Sequence, residues 1–216
     1  MTRFLAAIAV LVVCAAVPAV AGAQAPPNPP DLRITATPNP VKFGEDVRIF
    51  GELTRRPGSG ITIELNEDPF PFDAFATVAT AVTDVGSGYS FTRTPTVNAR
   101  YQTRQGATTS RIATALVRPS ISLRVSSRRL ATGRSVTFSG RVCPEHVGAS
   151  LAIQRRTAPK RWRTVRRTTL ADLPGSRCSS YARRLRVRRS GVYRTFLGAH
   201  ADHADGSSRK RRIDVP

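Results

Sequence analysis

The stretch RRLRVRRSGVYR, residues 183 to 194, places six arginines in twelve positions. Guanidinium groups stay protonated in proteins, and clustered like charges raise the local concentration of anions. Such a run can grip phosphate or carboxylate through charge-assisted hydrogen bonds. The plain alternative is the solvated side of a β-strand. Two other clusters hold chemistry-bearing types. HADHADG supplies His200, Asp202, His203 and Asp205, types that bind divalent metals. Strand alternation, however, would point His200 and Asp202 one way and His203 and Asp205 the other. The segment reads as a hairpin turn, and no metal is expected there. His146, the only histidine outside it, abuts Pro144 and Glu145 in a loop.

ELNEDPFPFDAF joins Glu64, Glu67, Asp68 and Asp73 to Phe70, Phe72 and Phe75. It lacks the glycine and the regular oxygen-ligand spacing of a calcium loop. It reads as a connecting loop whose rings cover one end of a fold, with a carbohydrate contact as the alternative. No G-x-S-x-G, H-E-x-x-H, G-x-x-x-x-G-K or C-x-x-C occurs. No catalysis and no cofactor are therefore expected.

The net charge of +20 is unevenly spread. Residues 31–119 hold 10 basic and 9 acidic side chains, whereas residues 120–216 hold 23 basic and 5 acidic. The amino terminus runs from Arg3 through an apolar stretch, Phe4 to Val17, to Pro18 and Ala21-Gly22-Ala23, the order of a secretory signal peptide. An uncleaved anchor and a lipidated Cys14 are the rival readings. Cleavage after residue 23 would leave no transmembrane segment. QAPPNPP, residues 24–30, reads as a stiff extended stalk. Export would leave two cysteines, Cys143 and Cys178, where thiols oxidise, and an even pair suggests one bridge.

An ungapped shift of 89 residues lays Leu32, Ile34, Val41, Gly44, Val47, Ile49, Gly51 and Leu53 on Ile121, Leu123, Leu130, Gly133, Val136, Phe138, Gly140 and Val142. Further on the shift drifts, bringing Phe91 to Tyr181 and Tyr101 to Tyr193. Within each half, apolar residues recur every second position in short runs bounded by Gly, Pro, Asp and Ser, the half-buried strand pattern. In the second half the expected strands lie near 121–125, 134–142, 150–155, 161–170, 179–187, 191–198 and 207–215.

The pairs GEDVRIFGEL with GRSVTFSGRV, FATVATAVTDVGSGYSF with RWRTVRRTTLAD, and NARYQT with GVYRTF resemble the tandem immunoglobulin-like, or fibronectin-type, modules of bacterial secreted and surface proteins. The resemblance implies an all-β chain of two seven-stranded antiparallel sandwiches, residues 31–119 and 120–216. Such modules often carry a corner tyrosine near the sixth strand, a place held by Tyr101 and Tyr193. In the usual strand order the second and fifth strands are antiparallel neighbours, so Cys143 and Cys178 should meet. On that order Arg184, Arg186 and Arg188 of the fifth strand share one outer face with Arg124 and Arg141 of the first and second. Thr94, Thr96, Thr35 and Glu52 are the aligned first-half residues for Arg184, Arg186, Arg124 and Arg141.

The resulting expectation is a non-catalytic spacer or adhesive protein, secreted or on the outer face of the cell envelope. Its basic face would contact an anionic envelope polymer weakly. Nucleic acid is disfavoured, because Tyr181 points inward and no helix is available for a groove. The alternative is a carbohydrate-binding or accessory module of an extracellular hydrolase system.

Overall fold

The segment SVTFSGRVC buries Val136, Phe138 and Val142 completely while Ser135 and Arg141 face solvent. That period of two is the signature of a strand covered on one side. It recurs throughout the computed structural model, which describes residues 31–54 and 58–216. The expected signal peptide (1–23), Cys14 and the stalk (24–30) lie outside the described residues. All regular structure among the described residues is strand, with no helix.

The first half contains β1 (Thr35–Thr37), β2 (Val41–Lys42), β3 (Val47–Glu52), β4 (Thr62–Pro69), β5 (Ala76–Val82), β6 (Gly88–Arg93), β7 (Ala99–Gln105), β8 (Thr108–Thr109), β9 (Ala113–Ala115) and β10 (Val117–Arg118). One antiparallel sheet runs β1-β3-β6. A second runs β5-β4-β7, with β8 and β9 both paired to β7, and β2 pairs in parallel with β10. Between the sheets lies one apolar cluster, including Val47, Ile49, Ile63, Leu65 and Tyr101.

The second half contains β11 (Ser120–Ile121), β12 (Arg124–Val125), β13 (Ser135–Cys143), β14 (Ser150–Ala158), β15 (Arg161–Thr169), β16 (Ser179–Arg186), β17 (Gly191–Leu197), β18 (Gly206–Ser207) and β19 (Arg211–Ile213). β11, β12 and β16 all pair with β13, and β14 lies between β15 and β17. β18 and β19 both pair with β17. A parallel bridge joins Arg129 to Asp214, as β2 joins β10 in the first half. The order of pairings is thus the same in both halves. The second core is split in two, around Phe138 with Tyr193 and around Leu151 with Tyr181.

The strand expected at 121–125 is two pieces, and the reason is chemical. The Ser122 carbonyl accepts the Tyr181 hydroxyl at 2.7 Å, so the Arg141 amide bonds instead to Ser122 Oγ at 2.8 Å. A side chain has replaced a backbone acceptor in the ladder. At the carboxy end, Ser208 Oγ likewise accepts the Thr195 amide at 2.9 Å, separating β18 from β19.

Tyr181 also meets Thr195 Oγ1 across the core at 3.1 Å. Tyr89 does the same in the first half, donating to the Arg33 carbonyl and meeting Thr103 Oγ1 at 2.8 Å. The hydroxyl-to-backbone role therefore belongs to Tyr89 and Tyr181. Tyr101, one of the expected corner residues, donates to Glu67 Oε1 at 3.0 Å, and burial followed by the Glu67 carboxylate raises its pKa. The counterpart of Tyr181 is Tyr89, two residues before the aligned Phe91. A slip of two keeps every side chain on its own face, and it makes Thr92 and Thr94, not Thr94 and Thr96, the counterparts of Arg184 and Arg186.

Cys143 and Cys178 are bridged, with Cα atoms 4.3 Å apart. Val142 pairs with Ser179, which puts the two cysteines opposite each other one step on. The bridge closes a separation of 35 residues.

Replacing both cysteines by serine should lower the urea-unfolding free energy by about 3–4 kcal/mol, the chain-entropy value for a loop of this length; a loss under about 1 kcal/mol would show that the second half folds without the staple. Burial also pushes the Tyr181 hydroxyl up to about 12 from its ordinary 10.0. A phenol kept protonated by folding contributes stability that is whole below pH 10 and is lost as pH rises toward 12. Tyr181→Phe should therefore cost about 1–3 kcal/mol at pH 8 and make the alkaline decline shallower than in the parent chain.

Candidate functional site

Positions facing each other across an antiparallel pair lie on the same side of a sheet. Arg184 pairs with Thr137, Arg186 with Ser135 and Arg141 with Ser180, while Arg124 pairs with Ser139. These four arginines accordingly share the outer face of β12, β13 and β16, with small residues between them. All four are exposed, as is Arg188 just beyond the end of β16. Arg186 donates to the Gly133 carbonyl at 2.6 Å. Among the described residues, none of the five expected contact arginines makes an ion pair. Around Arg124 and Arg141 the face dips into a concavity of about 480 Å³ over Gly140.

The first half differs sharply. Arg33–Glu52, Lys42–Glu45, Arg93–Glu67 and Arg104–Glu64 pair at 2.7–3.0 Å, and Arg100 pairs with Asp68. In the second half the only Arg–carboxylate pair among the described residues is Arg212–Asp214.

Two basic concavities were not legible as sites in the sequence. Arg186 and Arg188 stand at the rim of one, where Arg155, Arg163 and Arg189 surround Val165, Leu185 and Tyr193. It forms where β15 and β16, the free edges of two sheets, come together. RWRTVRRTT shows the arginines but not that edge. The other brings Lys42 and Arg118 of the first half beside Arg124, Arg209 and Arg211 of the second. How two halves meet leaves no periodic trace in a sequence.

The segment expected as a connecting loop is in part strand: Glu64, Glu67 and Asp68 lie on β4, and Phe70, Phe72 and Phe75, all half-buried, follow in the turn before β5. The Arg100 guanidinium lies 4.5 Å from the Phe72 ring centre and 5.8 Å from that of Phe75, and donates to the Phe72 carbonyl at 3.1 Å. These rings close around an internal ion pair.

The histidines depart from the alternation argument, because residues 198–205 are a loop between β17 and β18. Backbone bonds between His200 and His203, 2.9 and 3.3 Å, turn the chain sharply. The turn carries Asp202 and His203 back toward His146, whose ring centre lies 4.9 Å from that of His203 and 5.3 Å from that of His200. His203 and His146 are buried, at 2% and 8% exposure. His146 Nδ1 bonds the Pro144 carbonyl at 2.9 Å, and His203 Nε2 bonds the Thr96 carbonyl at 2.8 Å. Burial is the main cause holding the His146 imidazole below its ordinary pKa, against the Pro144 bond, which favours protonation. Donor atoms of His146, Asp202 and His203 all fall within 4.8 Å of one another. Asp205, which alternation would place on the side of His203, is exposed and is not one of these donors.

This loop also joins the halves. Asn98 donates through its amide to the Asp202 carbonyl at 2.8 Å and through Nδ2 to the Ala201 carbonyl at 3.2 Å. Its Oδ1 accepts the Val117 amide at 2.8 Å, and Ala204 donates to the Val117 carbonyl at 2.8 Å. No protein-family model matches the chain, and no curated protein gives a significant match.

Asn98 is buried at 6% exposure, so Asn98→Ala strands partners on both sides of the junction. The expected cost is about 1–3 kcal/mol, accompanied by faster amide exchange at Val117 and Ala204. Exchange unchanged at both would mean that the junction is held elsewhere.

Proposed function

We propose that this chain is an exported, non-catalytic protein of two immunoglobulin-like modules, residues 31–119 and 120–216. It acts as a spacer and adhesive element at the outer face of the cell envelope. The second module holds anionic envelope polymers through its arginine face. The module reading is supported by the shared pairing order of the halves: the second and fifth long strands pair on one sheet, and the third, fourth and sixth on the other.

The single observation carrying the adhesive reading is that Arg124, Arg141, Arg184, Arg186 and Arg188 are exposed without carboxylate partners. On the matching sheet face of the first half, Arg33 is paired with Glu52 and Arg48 is bonded to Ser90 Oγ. Like charges left facing one another repel and favour a polyanion over isolated ions. Phosphate or carboxylate polymers suit guanidinium forks. The carbohydrate alternative draws less support, since Arg100 already occupies the Phe72 and Phe75 rings.

Binding to a linear polyphosphate, followed by fluorescence anisotropy over a salt series, tests the reading. With four or five phosphates engaged, affinity should fall by about three decades for a tenfold rise in salt, at roughly 0.7 per contact. Changing the five arginines to serine should remove most of that slope. Salt-independent binding, or a slope retained in the serine variant, would discard this face as the contact.

A further inference from the structure

We propose that His146, Asp202 and His203 form a binding site for a divalent transition-metal ion of the zinc type, which clamps the disulfide corner to the loop joining the two halves. The inference stands apart from the arginine face and shares none of its residues.

The first support is the arrangement of ring protons. A neutral imidazole has one N–H and one lone pair. The Pro144 carbonyl takes the proton of His146 Nδ1, so the His146 lone pair sits on Nε2. The Thr96 carbonyl takes the proton of His203 Nε2, so the His203 lone pair sits on Nδ1. His146 Nε2 is buried with no hydrogen-bond partner, and His203 Nδ1 is buried with a carboxylate oxygen beside it. A carbonyl bonded to the far nitrogen is how proteins commonly orient a metal-ligating histidine.

The second support is the carboxylate. Asp202 Oδ2 lies 2.9 Å from His203 Nδ1, so a lone pair faces a lone pair unless a second ring proton or a metal ion stands between or beside them. Bonds of about 2.0–2.1 Å place tetrahedral donors roughly 3.3 Å apart. The present donors lie within 4.8 Å of one another, a distance that small rotations of the side chains can close. Two imidazoles and a carboxylate suit zinc-like ions, whereas calcium and magnesium prefer oxygen alone. A fourth position remains for water, with His200 beside it at the surface.

The third support is the rigidity of the frame. His146 follows the bridged Cys143 by three residues, and its amide donates to the buried Ser179 Oγ at 2.7 Å. Asp202 and His203 are held by Asn98 and Thr96 of the first half. A metal here would therefore tie three pieces of chain: the staple, the loop and the first half.

The test uses the full chain after chelator treatment. Cobalt(II) should give the visible absorption of a four-coordinate ion at one equivalent, and zinc should raise the unfolding midpoint progressively with its concentration. Zinc should also slow amide exchange at Asn98 and Ala204. Asp202→Asn and His146→Gln should each weaken zinc binding by at least about tenfold, while the surface variant His200→Gln changes it less. If one variant fails to fold by circular dichroism, the other and the cobalt spectrum decide. The proposal is overturned if cobalt gives no such band and zinc no stabilisation, which would leave a proton shared by His203 and Asp202 as the occupant. Affinity unchanged in every folded ligand variant, or abolished by His200→Gln alone, overturns it equally.

Discussion

One buried hydroxyl per half holds the sheets in register with each other. Tyr181 donates to the Ser122 carbonyl on its own sheet and meets Thr195 on the opposite one; Tyr89 does the same with Arg33 and Thr103. Each threonine is fully buried, so its hydroxyl has no water to fall back on. The geometry leaves no space at the neighbouring glycine. A Cβ at Gly140 would overlap the Ser122 carbonyl and approach Tyr181 Oη, and a Cβ at Gly51 would overlap that of Arg33. Glycine is required for close approach of backbones, a demand that no other residue type meets. The leading strand of each half is fastened there, and the faces of the rest follow from the pleat.

The arginine face is a consequence of that fastening. Because Tyr181 must point inward, Ser180, Ala182, Arg184 and Arg186 point out. With Val136, Phe138 and Val142 inward on β13, Arg141 joins them, and Arg124 follows on β12. Charge position is thus set by core packing, while charge identity is left free. The first half uses the same face for Thr35, Arg48, Phe50, Ser90, Thr92 and an ion-paired Glu52. Two surfaces of like geometry therefore differ in charge, one nearly neutral and one strongly basic.

Most of the strands were legible, since alternation such as SVTFSGRVC reports burial directly. So was the Cys143–Cys178 bridge, once the second and fifth strands were placed side by side. The repeat alignment went astray at Phe91 because aromatic character alone was matched; the tyrosine hydroxyl, not the ring, is the shared feature. The histidines were missed for a different reason. Alternation was applied to residues 200–205, yet that rule holds only for strands, and a tight turn brings neighbouring side chains to one side. The approach of His146 depends on the disulfide corner, and that of Thr96 and Asn98 on the other half of the chain. Contacts over such separations leave no local pattern.

The second half carries 23 basic residues against 5 acidic ones, and self-repulsion of that kind opposes compaction. Ion pairing does not relieve it, because its carboxylates are too few and Arg212–Asp214 is an exposed pair worth little. The compensation is found in interactions indifferent to surface charge. The disulfide sits at one end of the β13–β16 pair, whose outer side holds Arg141, Arg184 and Arg186. There it limits how far the unfolded chain can expand, the state that repulsion would otherwise favour. The first half, nearly neutral and laced with ion pairs, has no cysteine at all between residues 31 and 119. A covalent staple on the basic half alone offsets the repulsion within a sheet face that is charged and unpaired.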